Sequence, residues 1–185
     1  MINHQQAQQI LTQSEILIDQ EIIEQAIEQL AQEIKHQLAH KNLSAFCIMN
    51  GGLYFAGQLL RHLDIPLTIN YLHATRYIDN QGTSELSWLQ KPQQNLIQDK
   101  DILLIDDIFD EGITLEAIVK SCHELGARSV NSVVLIDKLH DRKPQTGFQP
   151  EFIGLPVEDR YIFGCGMDYQ GFWRNLPAIY ALKDL

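Results

Sequence analysis

Between positions 18 and 38 the apolar residues Ile18, Ile22, Ile23, Ala26, Ile27, Leu30, Ile34 and Leu38 recur three and four apart, with polar residues on the opposite face. That spacing predicts an amphipathic helix. The rhythm then shortens. "SAFCIMN" (44–50) is a continuous apolar run that stops at Gly51-Gly52, which predicts a strand followed by a tight turn. Helical spacing returns in "LYFAGQLLRHL" (53–63), and "PLTINYLHATRY" (66–77) reads as a strand. A polar, glycine-containing excursion follows at 78–88, then a strand at "DILLID" (101–106) and a helix at "TLEAIVKSCHELGA" (114–127) that closes at Gly126. Further strands are predicted at 129–138, 151–157 and 160–168. Strands alternate with helices from about 44 to 138, so the expected architecture is α/β, with a mainly parallel central sheet flanked by helices.

In such sheets ligands bind beyond the carboxyl ends of the strands. Those ends read "MNGG", "HATRY", "IDDIFDEG", "IDK" and "GCGMD", and they hold the chemically unusual residues of the chain. The length of 185 residues suits one domain. A net charge of -10 leaves no basic stripe with which to neutralise nucleic-acid phosphates, although a local site for a small anion remains open. Three widely spaced cysteines, Cys47, Cys122 and Cys165, without a CxxC pair, read as small apolar residues in a reducing compartment, so a cytoplasmic location is expected. The first residues, "MINHQQAQQI", lack the regions of a signal peptide, and no apolar run approaches membrane-spanning length.

The stretch "ILLIDDIFDEGITL" (102–115) carries the most specific chemistry. The turn Asp110-Glu111-Gly112-Ile113-Thr114 leads from a strand end into a helix, whose first N–H groups lack intrahelical partners and favour an anion such as a phosphate. Gly112 lets the backbone approach it closely and Thr114 adds a hydroxyl. Asp106 and Asp107 can each accept from one hydroxyl of a vicinal diol. Phosphate beside diol describes a phosphorylated ribose. The blander alternative is a helix cap with solvated acids. No GxxxxGK[ST] or GxGxxG motif occurs.

These residues resemble the 5-phosphoribosyl-1-pyrophosphate signature of type I phosphoribosyltransferases. "IMNGGLYFAGQLL", "LIDK" and "RYIFGCGMDYQGFWRNL" are similar to segments of the hypoxanthine-guanine phosphoribosyltransferases, and the likeness covers roughly residues 44 to 180. It implies purine salvage: transfer of 5-phosphoribosyl from phosphoribosyl pyrophosphate to N9 of hypoxanthine or guanine, giving IMP or GMP plus pyrophosphate. It also implies a single domain over residues 1–185 with its core at about 40–140. A hood formed by the N-terminal segment and about 150–185, and a lid at about 75–88, complete that expectation.

The same resemblance implies roles. Asp106 and Asp107 bind the ribose hydroxyls. Backbone groups of Glu111, Gly112, Ile113 and Thr114, with the Thr114 hydroxyl, hold the 5′-phosphate. Asp110 faces purine N7 as general base. Lys138 donates to the exocyclic O6, and since lysine cannot accept a hydrogen bond, the 6-amino group of adenine is mismatched. Tyr161 stacks on the purine and Ile162 offers backbone groups to its edge. Asp168 contributes to the purine site and to Mg²⁺, for which Asp106 and Asp107 are further oxygen ligands. Arg174 clamps pyrophosphate. The turn at Asn50 and Gly51 cradles it, in a loop that in the family often holds a non-proline cis peptide. Arg76 and Tyr77 belong to the lid. Taken singly, Asp110 also reads as a turn residue, Lys138 as a solvated strand end and Tyr161 as a core aromatic.

Three positions depart from the family pattern: Asn50 stands where many relatives have lysine, Arg76-Tyr77 where the lid usually has a Ser-Tyr pair, and Ile113 where a polar or basic residue is frequent. The expected partners are the purine base and phosphoribosyl pyrophosphate, in a homodimer or homotetramer, with neither nucleic acid nor membrane. A xanthine-preferring phosphoribosyltransferase and a non-catalytic regulator that senses phosphoribosyl pyrophosphate are the rival readings. His36 and His40 have metal-compatible spacing but no third ligand. His73, His123 and His140 show no partner in the sequence, and Cys165 no activating base.

Overall fold

The structure is a computed structural model and describes residues 2–78 and 84–183, with the side chains of 76–78 and 84–86 outside that description. In chain order the elements are α1 (His4–Thr12), β1 (Ser14–Ile18), α2 (Gln20–Leu38), β2 (Leu43–Met49), α3 (Gly52–Leu60), β3 (Leu67–Ile78), β4 (Ser84–Gln90) and α4 (Gln94–Ile97). They continue with β5 (Asp101–Phe109), α5 (Ile113–Glu124), β6 (Ser129–Leu139), β7 (Phe152–Glu158), β8 (Ile162–Phe163) and β9 (Ile179–Leu182).

Six strands form the main sheet in the order β4-β3-β2-β5-β6-β7, parallel except for β4 against β3. The central strand β5 has neighbours on both edges and apolar packing on both faces. Leu103 and Ile105 join the cluster that holds Ile27, Ile34, Phe55 and Leu59 of α2 and α3, whereas Ile102 and Leu104 face Leu115, Ile118 and Cys122 of α5. Alternation across a pleat sends successive side chains to opposite cores, so a strand buried on both sides must be apolar throughout, as "ILLI" is. The Asp19 carboxylate accepts from the Ile22 N–H at 3.0 Å and caps α2.

A second sheet, β1-β9-β8, is antiparallel and gathers the terminal segments. Arg160 ties into it, pairing with Glu15 at 2.8 Å and donating to the Leu182 carbonyl. The Trp173 indole donates to the Ala7 carbonyl at 2.9 Å and fastens α1 to the loop that precedes β9.

The architecture is the α/β fold expected, with four differences of detail. β4 occupies the second part of the segment read as a polar excursion, from Ser84 on, because β3 offers it an antiparallel edge. β5 runs three residues beyond Asp106, since β6 supplies partners as far as Phe109. The strand expected at 160–168 shrinks to Ile162–Phe163, because Gly164, Cys165 and Gly166 adopt φ of 101°, 50° and 110°, which no strand accommodates. β7 is the edge of the main sheet rather than part of the smaller one. The small elements α1, β1 and β9 carry too little apolar periodicity to stand out in the sequence.

Leu104 is fully buried between β5 and α5. Leu104→Ala should lower the unfolding free energy by about 2–5 kcal/mol in urea denaturation. A loss well under about 1 kcal/mol would mean that this face of β5 is not tightly packed.

Candidate active site

β5 delivers the site. Its pairing with β2 ends at Ile105, whereas its pairing with β6 continues to Phe109, so the strand parts from β2 just where Asp106 begins. The turn after β2 enters that opening. A Cβ on Gly51 would overlap the Asp107 carboxylate, and one on Gly166 would overlap the Gly51 carbonyl. Only glycine permits this approach of three chain segments. The cis peptide of this turn joins Met49 to Asn50.

A cavity of about 520 Å³ opens here. Asn50 and Gly51 line it from the turn, Asp106 and Asp107 from β5, and Arg174 from the loop before β9. Asp110, Glu111, Gly112, Ile113 and Thr114 line it from the start of α5. His73, Ala74 and Thr75 of β3, the start of the strand end "HATRY", also contribute, although no individual role was expected of them; the parallel register that brings His73 beside Met49 explains their presence. Gly112 is the N-cap of α5 at φ 73°, with no side-chain cap, so the first amides of the helix remain available to an anion at the cavity.

Asp107 is buried and Asp106 half-buried. The Asp107 N–H donates to Asp106 Oδ1 at 3.0 Å. Burial first, and then the charge of Asp107, hold the Asp106 carboxyl well above the usual carboxylate range; burial also pushes Asp107 up, against hydrogen bonding with Asp106 and the charge of Arg174. Without a ligand the pair therefore favours keeping a proton. Hydroxyl donors or a hard cation would stabilise the ionised form.

Arg174 is the cation whose charge acts on both members of this pair. It donates to the Gly166 carbonyl at 2.7 Å and forms an ion pair with Asp168. The other oxygen of Asp168 accepts from the Gly171 N–H at 2.7 Å, so both carboxylate oxygens are engaged within the protein. A cation at Asp168 has to compete with Arg174. Asp106 and Asp107 are the better oxygen donors for Mg²⁺, an ion commonly held by one or two carboxylates with its remaining ligands from water and phosphate. Among the described residues no group of three or more His, Cys, Asp or Glu forms a ready-made metal cage. Tyr161 is 57% exposed, meets Tyr169 edge-on at 5.2 Å, and places its hydroxyl 3.4 Å from the Asp168 carbonyl. Ile162 is buried in β8 beside it.

Asp110 sits among side chains from the end of β6. Lys138 Nζ lies 3.4 Å from its Oδ2 and 3.4 Å from Asp159 Oδ1. Arg142 holds Asp159 through two bonds of 2.8 and 2.9 Å. That fork keeps the Asp159 carboxyl far below the usual range. His140, which shows no partner in the sequence, has two here: Nε2 lies 2.5 Å from Asp110 Oδ1, and Nδ1 accepts from the Arg142 N–H at 3.0 Å. Its position two residues after Lys138, at the end of the strand that pairs with β5, was the available signal. Lys138, Tyr161, Ile162 and Asp168 do not line this cavity; Asp110 links Lys138 to it and Arg174 links Asp168. Arg76 and Tyr77 belong to β3 by their backbone, while their side chains, like residues 79–83 of the expected lid, lie outside the described residues. The thiol of Cys165 is pushed up to about 12 by burial and has no nucleophilic character there.

Comparison with known proteins agrees with this fold. The phosphoribosyl transferase domain family matches residues 13–159. A hypoxanthine-guanine phosphoribosyltransferase of Bacillus subtilis (strain 168) is 30% identical over 168 residues, covering 91% of this chain and 92% of its own. A hypoxanthine-guanine-xanthine phosphoribosyltransferase of Tritrichomonas foetus is 30% identical over 169 residues, covering 91% of each chain. The crystal structure of a hypoxanthine phosphoribosyltransferase from Staphylococcus aureus superposes with a TM-score of 0.84 at 26% identity, covering 99% of this chain and 97% of the other.

The acid pair makes a prediction about stability. Carboxyls raised in the folded state stabilise it only while protonated, so their contribution is present at low pH and fades as pH rises from about 4 through the folded-state values. Asp106→Asn should therefore raise the neutral-pH melting temperature of the ligand-free protein by a few degrees, on the order of 1 kcal/mol, with the gap narrowing towards pH 4. Parallel melting curves across that range would contradict it.

Proposed function

The chain belongs to the phosphoribosyl transferase domain family, and we propose that it transfers 5-phosphoribosyl from phosphoribosyl pyrophosphate to N9 of hypoxanthine or guanine, releasing pyrophosphate and forming IMP or GMP. The observation that carries this reading is the junction at the end of β5. An uncapped helix start, a buried acid pair, and a third carboxylate next to a lysine all open on one cavity or its rim. A 5′-phosphate fits the amides of Glu111 to Thr114 and the Thr114 hydroxyl. The ribose hydroxyls fit Asp106 and Asp107, to which they donate. Asn50, Gly51 and Arg174 are suited to pyrophosphate, the first two by backbone and the last by its planar fork.

Asp110 is the general base in this reading. It takes the N7 proton as N9 attacks the anomeric carbon, and its charge steadies the oxocarbenium-like transition state. Lys138 donates to O6, Tyr161 offers a ring face to the purine, Ile162 its backbone and Asp168 a further polar contact. The β3–β4 ribbon, of which Thr75 already lines the cavity, is assigned to closing the site and excluding water. Asp106, Asp107 and Asp168 would hold Mg²⁺, which when bound would supply charge neutralisation for the departing pyrophosphate. Self-association as a homodimer or homotetramer is supported by Ile69 and Tyr71, which expose 65% and 58% of their surface on one face of β3. A cytoplasmic location follows from the metabolic role assigned.

The test is an assay with Mg²⁺, phosphoribosyl pyrophosphate and hypoxanthine, guanine, xanthine or adenine. Turnover of the first two is expected; xanthine is included because the Tritrichomonas relative carries it in its name at the same 30% identity. Preferential use of adenine or xanthine, or no turnover at all, would overturn the proposal. Asp110→Asn should lower kcat about 10²-fold or more in this assay. Lys138→Ala should erode the preference for 6-oxopurines in base competition by roughly tenfold, while phosphoribosyl pyrophosphate binding stays near the parent level. Unchanged selectivity would remove Lys138 from its role.

A further inference from the structure

We infer that His140 is the positioning residue that fixes the carboxylate of Asp110, presenting one oxygen to the purine by immobilising the other. The inference rests on the assignment of Asp110 as general base. His140 stands just past the end of β6, and its side chain is only 4% exposed. Its Nδ1 accepts from the Arg142 N–H at 3.0 Å. A ring nitrogen that accepts a hydrogen bond carries no proton, so the proton of the neutral ring resides on Nε2. That nitrogen faces Asp110 Oδ1 at 2.5 Å and donates to it. The imidazole is thus polarised in one direction, backbone to ring to carboxylate. Protonation at Nδ1 would break the bond to Arg142, which makes the ring a fixed donor rather than a second base.

The two donors on Asp110 differ in what they are free to do. Lys138, on Oδ2 at 3.4 Å, is also 3.4 Å from Asp159 and can turn to a purine oxygen while that second carboxylate compensates its charge. His140 has no such alternative, because it is buried and tied to the backbone. When Lys138 moves, Oδ2 becomes free for N7–H and Oδ1 stays held. Arg142 connects the two halves: its N–H orients His140, and its guanidinium clamps Asp159 at 2.8 and 2.9 Å. The charged and titratable groups that face Asp110 are therefore Lys138 and His140 directly, Arg142 through its field, and Glu111 beside it on the same turn. An oriented carboxylate needs no reorganisation when the base binds, which is where positioning contributes to rate.

His140→Asn separates the two bonds of the ring. Its amide oxygen stands near Nδ1 and can still accept from Arg142, while nothing reaches Asp110. His140→Gln instead restores an amide donor near Nε2. With saturating phosphoribosyl pyrophosphate, His140→Asn should lower kcat roughly 10- to 100-fold, the range of a lost hydrogen bond to a charged group. The acidic limb of its pH–rate profile should move to higher pH, because the ionised carboxylate has lost a donor. His140→Gln should recover most of the rate, and both variants should bind phosphoribosyl pyrophosphate like the parent in titration calorimetry. In an Asp110→Asn background the penalty of His140→Asn should disappear. Parent-like rate and pH profile in His140→Asn, no recovery in His140→Gln, or loss of phosphoribosyl pyrophosphate binding in both variants would overturn the inference. If Asp110→Asn itself turns over like the parent, it is the base assignment that fails. If Asp110→Asn is impaired and His140→Asn is not, the positioning role alone fails.

Discussion

The chemistry of this molecule depends on parallel pairing at both edges of β5. While β2 and β6 both hold it, every side chain of "ILLI" is committed to one of two cores. Where the pairing with β2 ends, at Cys47 and Ile105, β5 keeps β6 alone as an edge partner and opens towards the turn after β2. The carboxylates begin at the next residue. Their location is thus a topological consequence of one edge pairing of β5 outlasting the other, and the six-stranded order β4-β3-β2-β5-β6-β7 places that strand inside the sheet.

The acid pair shows that the fold accepts a local penalty. Asp106 and Asp107 are side by side and partly removed from water, and the Asp107 carboxylate lies against the backbone of Gly51, itself crowded by Gly166. Nothing in the folding of the chain requires charge there. Such an arrangement is expected where a ligand supplies the missing donors, and locally unfavourable electrostatics of this kind cluster at functional sites.

The sequence was most legible where one physical pattern dominated. The 3.6-residue period of α2, the unbroken apolar run of β5 and the acid-glycine turn before α5 each carry a single message, and the sheet with its carboxyl-end residues follows from them. Legibility was lost where the determinant was a neighbour distant in the chain. The Gln-rich α1 is held by a capping pair between Asn3 and Gln6 and by Trp173, which a reading of local periodicity cannot register. β4 exists because β3 offers an edge. The segment after β8 reads as strand by hydrophobicity, yet its glycines turn it back on itself. His140 is the instructive case at the site: its meaning comes wholly from Asp110, thirty positions earlier, brought beside it by the register of β5 with β6.

Lys143 gives that neighbourhood its mechanical character. Its ammonium donates to the Phe109 carbonyl at 2.6 Å and to Asp137 at 2.7 Å, and lies 4.0 Å over the Phe109 ring, the same ring that a side chain at Gly112 would strike. One cation thus rivets the end of β5, the end of β6 and the floor of the turn at Gly112. Segments fastened through a common pin share their fluctuations, so tightening of the turn by an anion would be felt along the span that carries His140 and Arg142. By thermodynamic reciprocity, a purine settling against that span would in turn steady the grip on the phosphate.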